Sequence, residues 1–74
     1  MIFEKVKRII AEQLGLEEND ITMDTSFEQL GVDSLDLFQI IIEIEEEFSV
    51  QIEDAESIKN VAEAVKFVKD KIEE

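Results

Sequence analysis

Residues 31–48 read GVDSLDLFQIIIEIEEEF, and the way their apolar positions repeat decides the fold. Leu37, Ile40, Ile41, Ile44 and Phe48 recur at intervals of three and four, the spacing of one buried helix face. Asp33 stands where an N-cap would, with Asp36 three residues on, so the pair predicts a capping-box-like start to a helix over 34–48. Gly31 supplies the backbone freedom to turn into it. The rival reading is a strand over 40–44, because three consecutive isoleucines favour extended chain and Ile-Glu-Ile-Glu alternates. Helical spacing on both sides and the run Glu45-Glu46-Glu47 decide for the helix. Leu35, Phe38 and Ile42 make a second apolar row that starts beside Ser34, and Asp36, Gln39, Glu43 and Glu46 or Glu47 make a charged row next to it. Either this helix is buried on two sides, or one row serves something other than the domain's own core.

Outward from this helix the pattern stays helical. On its N-terminal side Ile2, Phe3, Val6, Ile9, Ile10 and Leu14 predict an amphipathic helix over 2–14, closed by Gly15 with Leu16 folding back. Residues 17–32 lose the periodicity but keep Ile21, Met23, Phe27, Leu30 and Val32, which predicts an ordered loop packed on the core with a turn at Ser26–Leu30. On the C-terminal side, 51–56 reads as a polar connector and 55–59 as a single helical turn. Asn60 can cap a last helix over 61–72, with Val61, Ala62, Val65, Val68 and Ile72 inward and Phe67 beside them. Lys66, Lys69 and Lys71 cluster where the helix dipole favours cations. The expected fold is all-α: an irregular four-helix bundle of three main helices and one short one, with a long loop between helices one and two, in a single domain spanning 1–74.

A chain of 74 residues buries only about 60% of its extended surface, so the core is thin. There is no cysteine to staple it, and with no histidine either, a structural zinc is not expected. The formal net charge is -13, and every lysine and arginine lies before Ile9 or after Ile58. A surface of one sign through the middle of the chain repels nucleic acid and anionic membranes and attracts basic protein patches. No apolar run is long enough to span a membrane, and Met1 leads into a helix without a signal-peptide pattern. A cytoplasmic monomer is the expectation.

Ser34 falls in the first turn of the central helix, where backbone N–H groups lack helical partners. A phosphate carried on its oxygen would be stabilised by that positive end. With no histidine and no suitably placed lysine to activate it, the hydroxyl fits neither a triad nor an autonomous hydrolase, and no catalytic residue is expected. A hydroxyl that receives a group from another enzyme is one reading. The plainer one is that a serine between two aspartates at a helix start is a cap.

Three segments in register, GVDSLD at 31–36, EIEEEF at 43–48 and VKRIIAEQLG at 6–15, resemble the acyl carrier protein family over essentially the whole chain. The resemblance implies that Ser34 carries 4'-phosphopantetheine, attached by a phosphopantetheinyl transferase from coenzyme A with Mg²⁺. It also implies that the arm's thiol presents acyl groups to the ketoacyl synthase, reductases, dehydratase and acyltransferases of fatty acid synthesis. Basic surfaces of such partners would dock on Asp33, Asp36, Glu43, Glu46 and Glu47. Leu35, Phe38 and Ile42 would add an apolar strip to that face or line the acyl chain's route, the competing reading being that these three are ordinary core and the acids a solvated face. Gln39 stands where fatty acid carriers commonly have glutamate, the connector before the short helix lacks a proline, and Phe38 is larger than the usual valine. A carrier for polyketide, lipid-modification or amino-acid loading chemistry, and an acidic interaction module without a covalent cofactor, remain the alternatives. No metal ligand is assigned: the clustered carboxylates leave a calcium or magnesium site open, but they form no twelve-residue calcium loop.

Overall fold

The first two helices stop where the sequence supplies a residue able to leave the helical path. The computed structural model describes residues 2–73, so the first and last residues of the expected 1–74 unit lie outside it, and contains α1 (Ile2–Leu14), α2 (Ser34–Phe48) and α3 (Val61–Glu73). Gly15, at φ +70, closes α1, and the Leu16 N–H reaches back to the Ala11 carbonyl at 2.9 Å. Ser49 closes α2 in the same left-handed conformation, at φ 56, with the N–H groups of Ser49 and Val50 both donating to the Glu45 carbonyl. Among the described residues it is the one non-glycine with positive φ.

α1 packs against both α2 and α3, and the apolar stripes expected from the spacing meet there. Val6 and Ile10 of α1, Ile40 and Ile44 of α2, and Val61 and Val68 of α3 are fully buried. Taking each aliphatic side chain out of water contributes about 1.5–3 kcal/mol, which is how so small a chain offsets its ordering entropy.

The loop before α2 is fastened rather than draped. Ile21 and Phe27 are buried, and the Phe27 N–H donates to the Lys59 carbonyl at 3.0 Å within an isolated antiparallel bridge between Ser26 and Asn60. The carbonyls of Thr25 and Met23 accept from the N–H groups of Val61 and Ala62 at 2.9 and 3.0 Å, so the loop caps the open start of α3. Asn60 Oδ1 completes that cap by accepting the Glu63 N–H at 2.8 Å. The expected turn at Ser26 is present and doubly tied: Ser26 Oγ accepts the Gln29 N–H and Gln29 Oε1 accepts the Ser26 N–H. A 3-10 turn at Glu18–Asp20, which carries no apolar signal of its own, precedes it.

The short helix expected over 55–59 is present as the single 3-10 turn Ala55–Ser57, ending where Ile58 takes up extended backbone and drops into the core. Two expectations need correction. The connector 51–56 is not wholly polar in function, because Ile52 is a core residue. Ile72 is exposed, since the last turn of α3 outruns the packed layer, and Ala64 takes an inward place instead.

Candidate functional site

The α2 mouth is shaped by the residues before it. Gly31, at φ +72, lets the turn at Phe27–Leu30 close, with the Leu30 and Val32 N–H groups both donating to the Phe27 carbonyl. Because Phe27 is buried, that turn is fixed to the core and aims the chain into α2. Asp33 then takes extended backbone at φ -91, ψ -177, and its Oδ1 accepts the Asp36 N–H at 2.9 Å. Asp33, not Ser34, is therefore the cap.

That division of labour leaves the serine free. Ser34 is the first residue of α2 and is exposed, with its hydroxyl not spent on capping. The N–H groups of a first helical turn have no intrahelical partners, and their summed dipole favours an anion. A phosphate ester on Ser34 Oγ fits this position: there is open solvent for the arm and unpaired N–H character beside the ester. The neighbouring carboxylates of Asp33 and Asp36 oppose that field.

Along α2 the expected residues separate into bands. Leu35 is 78% exposed, Phe38 46% and Ile42 44%, which removes all three from the core. Helical register sets Glu46 and Gln39 beside this apolar band and Asp36, Glu43 and Glu47 on the far edge toward α1. Glu43 and Glu46 are exposed and Asp36 is half-buried. Glu47 differs from the others, because Lys5 of α1 reaches it at 3.5 Å. No group of three or more acidic side chains among the described residues is placed to hold a metal ion.

Sequence reasoning missed what lies on the other edge of α2. Phe38, Ile41 and Ile42 face Ile52 and Ala55 of the connector across a groove of about 440 Å³, with Glu53, Asp54 and Glu56 at its rim. A second groove, of about 410 Å³, lies on the other side of the 3-10 turn, between Val32 and Leu37 on one wall and Ile58 on the other. The buried Ile52 inside a polar stretch was the available sign that the connector forms a wall. No helix among the described residues is long and apolar enough to cross a membrane.

Residues 4–68 match the family described as "Phosphopantetheine attachment site". The chain is 52% identical over 67 residues to the acyl carrier protein of Lactococcus lactis subsp. cremoris strain MG1363, covering 90% of this chain and 92% of that protein. The same figures hold for the acyl carrier protein of Lactococcus lactis subsp. lactis strain IL1403. The acyl carrier protein of Streptococcus pyogenes serotype M1 is 47% identical over 70 residues, 95% of each chain.

Proposed function

Because the chain belongs to the acyl carrier protein family, we propose that Ser34 Oγ bears a 4'-phosphopantetheine arm and that the protein delivers acyl groups on it to the enzymes of fatty acid synthesis. The chain is a carrier and not a catalyst. The observation that carries the reading is the cap: Asp33 accepts the Asp36 N–H, so the exposed Ser34 hydroxyl remains available to a transferase.

The arm supplies a thiol, which a chain without cysteine lacks, and holds acyl groups as reactive thioesters. This chain's own residues do the rest. Ser34 presents the attachment oxygen, and Asp33 fixes the helix start so that the oxygen has a constant direction. Asp36, Glu43 and Glu46 offer carboxylates to basic partner surfaces, including those of the transferase, ketoacyl synthase, reductases, dehydratase and acyltransferases, while Leu35, Phe38 and Ile42 supply apolar contact. Glu47 belongs to this face with its charge partly met by Lys5. A tethered thioester is present at a high effective concentration at each partner site, so the carrier can work with weak docking. We read the chain as one monomeric cytoplasmic domain over 1–74.

The test is intact mass after incubation with coenzyme A, Mg²⁺ and a phosphopantetheinyl transferase. One phosphopantetheine should be gained by the wild type and none by Ser34→Ala; a gain that survives the substitution overturns the assignment. Charge reversal at Glu43 should slow the modification several-fold at low salt, with the deficit shrinking as salt rises. Equal rates at both ionic strengths would remove Glu43 from the docking face.

A further inference from the structure

One carboxylate of α2 stands apart from the acidic face and is bonded to the connector. Glu45 is half-buried, and its Oε2 accepts the Ile52 N–H at 2.8 Å across seven residues. Its carbonyl also accepts from the N–H groups of Ser49 and Val50. Three N–H groups of the connector thus end on one residue, which sets the path of the chain from Ser49 to Ile52. Ile52, held this way, is only 8% exposed and faces Phe38, Ile41 and Ile42 across the 440 Å³ groove.

The groove and Ser34 share one edge of the helix. Ser34, Phe38, Ile41 and Glu45 follow at i, i+4, i+7 and i+11, which keeps them on one flank over about 16 Å of helix. Ser34 heads the flank and the Glu45–Ile52 bond closes its far end. We propose that Glu45 is a positioning residue: it seats Ile52 as the groove wall and so governs how well an acyl chain carried from Ser34 is covered from water. This rests on Ser34 being the attachment point.

The groove suits that occupant. Its floor is aliphatic and aromatic, as an alkyl chain requires, and the carboxylates of Glu53, Asp54 and Glu56 at the rim disfavour anionic small molecules. An amide at position 45 can still accept the Ile52 N–H through its carbonyl oxygen, whereas alanine cannot. The two substitutions therefore separate the hydrogen bond from the charge.

The experiment compares wild type, Glu45→Gln and Glu45→Ala by amide exchange on the unloaded protein, then by thioester hydrolysis after loading with acetyl and octanoyl groups. The Ile52 amide should exchange about tenfold faster in Glu45→Ala, the fold-change for a bond worth about 1.4 kcal/mol, and stay close to wild type in Glu45→Gln. The amides of Ile10 and Val68 should be little changed, which checks that the variant is folded. Octanoyl thioester hydrolysis should accelerate several-fold in Glu45→Ala and be restored by Glu45→Gln, with acetyl hydrolysis equal in all three. Unchanged Ile52 exchange overturns the clip, and octanoyl rates that match across the variants overturn its control of the groove. A wild type that takes up no arm overturns the attachment reading and this proposal with it, an outcome separable from the other two by mass alone.

Discussion

α1 and α2 have similar lengths and end in the same left-handed closure, yet they spend their surfaces differently. α1 turns its apolar side inward and pairs charges of both signs outside, with Lys7 to Glu4 at 3.3 Å and Arg8 to Glu12 at 4.0 Å. α2 carries no basic residue and leaves Leu35, Phe38 and Ile42 in water. Local rules for stability would cover those three and intersperse lysines among the acids. The contrast separates a helix whose surface serves the fold from one that leaves an apolar band uncovered, and residues that break local rules are where function is expected.

The largest test of that contrast sits within α2. Ile44 is fully buried, and Ile44→Ala should cost about 2–5 kcal/mol by urea denaturation, from lost burial plus the cavity left behind. Leu35→Ala should change stability by no more than about 0.5 kcal/mol, because its side chain gives up little burial. Equal losses at the two positions would mean that the apolar band is a hidden part of the core.

The helix ends give the next effect. Gly15→Ala places a Cβ on a backbone at φ +70 and should destabilise by about 1 kcal/mol, although the added atom would meet nothing within 4 Å. Ser49→Gly removes about 1–2 kcal/mol of left-handed strain from the end of α2 and gives back about 0.4–1 kcal/mol in unfolded-chain entropy, so it should stabilise by roughly 0.5 kcal/mol. Opposite signs in thermal midpoints would show that α2 retains slack which α1 does not. A loss at Ser49→Gly would instead mean that the serine's own conformational restriction outweighs the strain.

Much of this was legible in the chain because it is written locally. The bounds of α1 and α2, the Asp33 and Asn60 caps, the Gly15 closure and the Ser26 turn all follow from residue types at fixed offsets. Ser34 was legible as a candidate, but sequence left open whether it capped the helix; the Asp33 bond assigns the cap to Asp33. What stayed hidden depends on contacts far apart in sequence. The carbonyls of Met23 and Thr25 capping α3, Glu45 bonding to Ile52, and Lys5 reaching Glu47 leave no periodic trace. Ile72 was misplaced for a related reason: periodicity assigns a residue to a face but not to a depth along the layer.

The smallest effect is the most instructive about charge. Lys5 and Glu47 link α1 to α2, but their side chains are 50% and 36% exposed, and Lys5 also lies over the Phe48 ring at 5.9 Å from its centre. A double-mutant cycle should give a pair energy of no more than about 0.5 kcal/mol after solvent screening. The single substitutions should nonetheless be unequal. Lys5→Gln removes one of few cations from a chain of net charge -13, while Glu47→Gln removes one of many anions and relieves repulsion along α2. At low salt the first should destabilise, and the second should be neutral or slightly stabilising. Near 0.5 M salt, where the screening length falls below about 5 Å, the two should converge. Persistence of the asymmetry at high salt would assign it to Lys5 packing on Phe48, and α2 would then depend on α1 through contact more than through charge.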